Sequence, residues 1–298
     1  MNLFLKKTTK FLIILCFSAV SISLLLNSYL NKKSKFSLNN NVKSVVFGHS
    51  HPETAFNDSL IVDFKNLAQS GESYFYTYIK AKQVFKNNPQ IENVFIEFSN
   101  IDITKIRDEE IWNDKYINWR YPTYATWMNL QEHFFLLLKN PKSLIATLPK
   151  TYKKQVKRIK TKHFNYTKST SGYLYINESK LDSLLQNRAN TIQPEPNFFK
   201  ESSHNLMYLK KLVALCQQHN KSVYFVRSPI YHESFYKWNE LLFKEVKEKH
   251  FSKIELLDYV DLKLPINHFR DLHHLNYKGA KIFSQNFNNW LLNKKLHP

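Results

Sequence analysis

Glycine is scarce in this chain, with 4 in 298 residues against 23 phenylalanines and 17 tyrosines. Tight turns and close backbone approaches call for glycine, so a TIM barrel or a glycine-fingerprint nucleotide fold is disfavoured. Cysteine is scarcer still. Cys16 and Cys216 are the only two, and Cys16 lies in an apolar N-terminal run, so the chain offers neither a disulfide framework nor a cysteine zinc site. Acidic residues are few as well, 24 against 43 Lys and Arg, for a formal charge of +19. Such a balance points first to nucleic acid. The lysines are spread along the whole chain, however, and a membrane-tethered protein rarely meets DNA, so no nucleic-acid partner is expected. The densest basic cluster, Lys150 to His163, reads as a solvated helix face or as a contact for anionic lipid headgroups or an acidic polysaccharide.

Apolar residues make up 43% of the chain, enough for the core of one large domain or two small ones. Residues 1–30 read as a membrane segment. Lys6, Lys7 and Lys10 precede the uncharged stretch Phe11–Leu30, whose 20 residues suffice to cross ~30 Å of hydrocarbon as a helix. A cleaved signal peptide is the alternative, but no Ala-x-Ala-like site follows the apolar run. An uncleaved signal anchor is therefore expected, with the short basic head inside and the C-terminal part exported.

A polar linker, 31–41, leads into a domain over 42–298. Val42–Phe47 reads as a buried strand, Ile61–Leu67 as a second and Val94–Phe98 as a third, with a helix over Ser73–Asn88 between the last two. Residues 105–200 differ in character, and read as a mostly helical insertion. Alternation then resumes with a helix over Ser203–His219, a strand over Ser222–Val226, a helix around Phe235–Lys249, a strand over Ile254–Asp258 and a last helix over Tyr277–Leu292. This pattern predicts an α/β fold of three layers, flavodoxin-like in layout, with a parallel sheet between helices.

Chemistry in such sheets gathers beyond the carboxyl ends of the strands. Ser50 follows the first strand, Gly71 the second and Asn100 the third, while Asp271 and His274 precede the last helix. A hydroxyl nucleophile needs a histidine to take its proton and a carboxylate to orient that histidine. Ser50, His274 and Asp271 supply those types, with His273 as the rival base. Serine after a strand is otherwise a helix cap, and Gly71 is otherwise a positive-φ position. His49 and His51 flank the serine. With His274 and Glu53 they form a poor metal set, so neither metal nor cofactor is expected. Arg227, Pro229 and His232 follow a strand end and are pocket candidates with His49 and His51.

These blocks resemble those of the SGNH (GDSL-like) hydrolase superfamily. Val45-Val46-Phe47-Gly48-His49-Ser50-His51 resembles its first block, with His49 where Asp is usual. Asn66–Gly71 resembles the second, and Phe95–Asn100 stands at the third without its usual glycine. Asp271-Leu272-His273-His274 matches the last. The resemblance implies Ser50 as nucleophile, His274 and Asp271 as base and orienter, and an oxyanion hole from the Ser50 and Gly71 N–H groups and the Asn100 amide. The run Asp271 to Ala280 further resembles membrane-anchored branches acting on cell-envelope polymers. It implies an extracytoplasmic serine esterase or O-acyltransferase that moves a small acyl group, such as acetyl, on an envelope glycan, with a membrane acyl donor as partner. The alternative is a non-catalytic glycan-binding or assembly protein of the same fold.

Overall fold

A computed structural model describes residues 2–181, 185 and 196–296. In chain order it holds α1 (Asn2–Lys33), β1 (Ser44–Phe47), α2 (Ser50–Ala55), β2 (Phe64–Asn66), α3 (Tyr74–Asn87), β3 (Asn93–Glu97), α4 (Glu109–Trp112), α5 (Asp114–Tyr124), α6 (Leu130–Lys139), α7 (Pro141–Thr161) and α8 (Thr167–Thr170). These are followed by α9 (Ser203–Gln218), β4 (Ser222–Arg227), α10 (Glu240–Phe251), β5 (Glu255–Asp258) and α11 (Tyr277–Leu296). The five strands form one parallel sheet in the order β2-β1-β3-β4-β5. The expected mixed α/β architecture with a parallel sheet is present.

Parallel strands need crossovers that cover both faces, so their side chains are apolar on both sides. All four β1 residues are buried, and Val46 pairs with Phe95 as Phe47 pairs with Ile96. Under one face α2 and α11 meet the sheet. Phe56 stands edge-on to Phe283 and Phe287 with centroids 4.8 and 4.9 Å apart, and Phe287 does the same to Phe95 at 5.0 Å. Under the other face lie α3, α9 and α10, through Phe47–Phe85, Phe75–Tyr208 and Phe225–Phe251. The aromatic excess of the sequence is thus largely core.

Two elements are shorter than their sequence pattern. β2 covers three residues of the apolar run 61–67, because Asp63 at φ 54° breaks the extended chain and Asp58 takes the Asn66 N–H at 3.2 Å. The helix expected around 235–249 begins as a 3₁₀ turn over Phe235–Asn239, before α10.

The chain divides into two compact units. The sheet unit comprises Phe36–Trp112 and the residues from Tyr166 on. The second gathers the residues up to Lys35 with Asn113–Asn165. The anticipated insertion over 105–200 is therefore narrower as a compact body and includes the N-terminal helix, while residues 182–184 and 186–195 of that span lie outside the described ones. Within this second unit Tyr152 and Gln155 of α7 hydrogen-bond Ser23 and Asn27 of α1, and the Trp127 indole N–H donates to Ser34 at 3.0 Å. The basic cluster belongs to α7 and divides. Lys150 donates to the Asn118 carbonyl, Lys154 to Thr123 and the buried Arg158 to the His163 carbonyl, whereas Lys153, Lys157, Lys160 and Lys162 face solvent. Among the described residues one helix, Leu3–Lys33, is long and apolar enough to cross a membrane.

Candidate active site

The serine is presented by a turn that only glycine fits. After β1 the chain reverses at Gly48, whose φ is +153°, and a Cβ there would stand 2.6 Å from Glu97 Cβ and 2.7 Å from Pro52 Cγ. His49 then caps α2, its ring accepting the His51 N–H at 3.4 Å, and Ser50 becomes the first helical residue, half-buried. Its N–H is one of those that no intrahelical carbonyl reaches. Asn66 fixes α2 to β2 by donating to the carbonyls of Pro52 at 2.8 Å and Phe56 at 2.9 Å.

The candidate base, His274, lies 224 residues further along the chain. Phe269 and Leu275 pair as an isolated antiparallel bridge, and the Arg270 N–H donates to the His274 carbonyl at 2.9 Å, closing a small loop. Inside it, one Asp271 oxygen accepts the N–H groups of His273 (2.9 Å) and His274 (3.0 Å) and also faces His274 Nδ1 at 2.8 Å. The carboxylate accepts only, so the neutral ring carries its proton on Nδ1 and turns a bare Nε2 outward. That Nε2 lies 2.8 Å from Ser50 Oγ. Ser50, His274 and Asp271 are thus brought into one hydrogen-bonded chain. The rest of the Asp-x-x-His-Leu-Asn-x-x-Gly run supports it. Asn276 Oδ1 caps α11 by accepting the Lys278 N–H at 2.9 Å, and a Cβ on Gly279 would lie 2.3 Å from the His268 carbonyl oxygen.

His273 is oriented elsewhere. Its ring stacks on Tyr236 with centroids 3.9 Å apart, its Nδ1 meets Ser234 Oγ at 2.9 Å, and burial holds its pKa down to about 4. Asp271 is also depressed: burial pushes its carboxyl up, but the His274 hydrogen bond and the charges and N–H groups around it outweigh that.

Gly71 takes φ +62° in the turn after β2. That turn is tied to the serine segment twice, by the Gln69 N–H on the Gly48 carbonyl at 3.0 Å and by the Ser70 N–H on Glu53 at 2.8 Å. Asn100 is differently placed. Its side chain is buried, donates to Glu240 at 3.0 Å and accepts from Arg227, which is itself buried and paired with Glu240 and with Asp258 at 3.1 Å. Arg227 therefore braces the β3 and β4 ends. Of the remaining pocket candidates, His232 lines a cavity of about 480 Å³ with Ile230, Tyr231, Leu262, Leu264 and Phe269.

Beneath the triad lies a polar floor that sequence reasoning did not assemble. His49 Nε2 meets Asp102 at 3.2 Å, and Asp102 also accepts from Ser99 and faces Arg107 at 3.4 Å. His51 packs under His274, ring centroids 5.4 Å apart, and lies 3.8 Å from the buried Glu97. Glu97 is held by the Ser228 N–H at 3.1 Å and hydroxyl at 2.6 Å. Burial lowers the pKa of both histidines, His51 the further because His49, His274 and His273 surround it. Burial, with Asp102 nearby, lifts Glu97 to about 8. Donor atoms of His49, His51 and Glu97 fall within 4.8 Å of one another, as metal ligands would. Hydrogen bonds to Asp102 and Ser228 already engage two of the three. Glu97 reaches the site as the last residue of β3.

One family model, of an uncharacterised family, matches residues 176–296. That stretch carries β4, β5, α11 and the loop with Asp271 and His274, and leaves Ser50 outside. No curated protein matches.

Proposed function

We propose that the protein is a membrane-anchored serine esterase or O-acyltransferase of the SGNH-like type, acting outside the cytoplasm on acyl groups of an envelope glycan. The observation that carries the reading is the continuous Asp271–His274–Ser50 hydrogen-bonded chain, with 2.8 Å between His274 Nε2 and Ser50 Oγ. The strand order 2-1-3-4-5 also supports it, being the flavodoxin-like order with ligands at the strands' carboxyl ends.

In this reading Ser50 Oγ attacks the ester carbonyl while His274 Nε2 takes its proton, and Asp271 stabilises the imidazolium. The carbonyl oxygen, now negative, is met by the Ser50 and Gly71 N–H groups. The alcohol leaves with the proton from His274, so an acyl-Ser50 ester remains. Water or a sugar hydroxyl then gives its proton to His274 and attacks that ester, and His274 returns the proton to the departing Ser50 Oγ. A preorganised oxyanion donor is worth roughly 10²–10³ in rate. Tethering by α1 favours a sugar acceptor, because an acyl-donating membrane partner would be close.

A second reading, a non-catalytic glycan-binding or assembly protein, is favoured by one observation, the engagement of the Asn100 amide by Glu240 and Arg227. The test uses the full chain in detergent with a short p-nitrophenyl ester and a fluorophosphonate probe. Labelling and turnover in the wild type, lost in both Ser50→Ala and His274→Ala, are expected. A folded wild type that is neither labelled nor active would leave only the binding reading.

A further inference from the structure

The helical unit carries an apolar face that is exposed among the described residues. On α6, Leu130, Phe134, Leu137 and Leu138 follow the i, i+4, i+7, i+8 spacing of one stripe, and they are 68%, 58%, 38% and 67% exposed. The opposite side of α6 is held down by the buried Leu136 and by Glu132, which caps Asn129. Ile145 on α7, just beyond the α6–α7 turn, is 59% exposed. Soluble proteins rarely leave so many large apolar side chains contiguous in water.

Two further observations say what covers them. The first is register. Ser23 meets Tyr152 and Asn27 meets Gln155, so α1 and α7 run in the same direction where they touch. Going back along α7 from Tyr152 therefore follows α1 back from Ser23 into its uncharged run, and leads to Ile145 and the end of α6. The second is charge. Glu132 is the sole acid between Leu130 and Thr161 and is buried, while Lys139 and Lys142 flank the turn and Lys153, Lys157 and Lys160 stand out to solvent. An exposed apolar stripe bordered mainly by cations, with Asp114 at the turn engaged by Asn140 and Ser143, matches a helix lying at the headgroup boundary of an anionic bilayer.

We infer that the α6 stripe and Ile145 are seated in the acyl–headgroup boundary of the bilayer that α1 crosses, so that the protein holds its membrane by a span and an interfacial hairpin together. The inference rests on α1 being a membrane span. Long lysine side chains at the turn reach back to the headgroups.

The test places single cysteines at Phe134, Leu138 or Ile145 in the full chain, with Cys16 and Cys216 replaced by alanine. Each is labelled with an environment-sensitive nitrobenzoxadiazole dye and reconstituted into vesicles of anionic phospholipid. A label at Ile14 reports the span and one at Lys160 reports solvent. Emission shifted to the blue at 134, 138 and 145, and quenched by doxyl-labelled lipid as at 14, is the expected result. Solvent-like emission at those three sites, with quenching at 14, overturns the inference and leaves the anchor standing. A blue shift without lipid quenching also overturns it, and assigns the face to a protein partner. Absence of quenching at 14 overturns the anchor and the inference with it.

Discussion

Asp271 does more than orient a ring. One of its oxygens gathers the His273 and His274 N–H groups and the His274 Nδ1–H, so loop geometry and tautomer depend on the same atom. Asp271→Asn would keep the size while favouring the wrong tautomer. On the proposed esterase reading, turnover is then expected to fall about 10⁴-fold, and at least as far in Ser50→Ala, with circular dichroism unchanged, both read by p-nitrophenyl ester hydrolysis. These three residues were legible in the sequence because each sits in a short local run whose spacing does its own work: glycine before the serine, and Asp, His, Asn and Gly at fixed offsets before α11. The surroundings of Asn100 were not legible. Arg227, 127 residues on, and Glu240, 140 on, decide what its amide bonds to, and no local pattern encodes such a meeting. The partner of His49 was hidden for the same reason. Asp102 lies 53 residues away, and it explains how a histidine is accommodated before the serine.

At the scale of elements, the turn from β1 into α2 is the most constrained. A methyl group at residue 48 would overlap Glu97 and Pro52 and occupy a φ that L-residues rarely adopt. Gly48→Ala is expected to cost about 2–4 kcal/mol, combining backbone strain with overpacking, measured as a lowered urea midpoint at unchanged m-value. Removing the α11 cap with Asn276→Ala should cost about 1 kcal/mol by the same measurement, and loosen the loop that holds His274. Strand and helix positions followed from apolar runs and their breakers. The three-residue β2 did not, since its limits come from the left-handed Asp63 and the Asp58 side chain rather than from hydrophobicity. Glutamate at the end of an apolar strand likewise gave no sign of being fully buried.

For the whole molecule, the polar floor couples stability to pH from both sides. His49 and His51 are buried and His273 half-buried, all with lowered pKa, so as pH falls below about 6.5 the unfolded chain binds protons that the fold refuses. Stability must drop there, and for His273 the loss continues to about pH 4. Asp102 and Asp271, both depressed, add a loss at still lower pH as they protonate in the fold. Glu97 acts in the opposite sense. Its pKa rises from 4.5 to about 8 on folding, so the folded chain holds a proton the unfolded chain has released, and stability falls as pH climbs across that window. Glu97→Gln, whose amide would still bond Ser228, is expected to flatten stability between about pH 6.5 and about 8 and to steepen the acid limb between pH 4.5 and 6.5, as read from urea midpoints against pH. The two-unit division carries another expectation. Deleting 1–35 alone removes Ser23, Asn27 and Ser34, to which Tyr152, Gln155 and Trp127 hydrogen-bond. That variant should aggregate, whereas one also lacking 113–165, bridged by a flexible linker, should stay soluble and label at Ser50. Finally, 224 residues separate Ser50 from His274. On the proposed serine mechanism, a chain halted before His274, in mid-synthesis or by a premature stop, carries the nucleophile without its base. Reactivity at Ser50 would therefore mark molecules whose translation has passed His274, and copies halted before it would stay chemically silent.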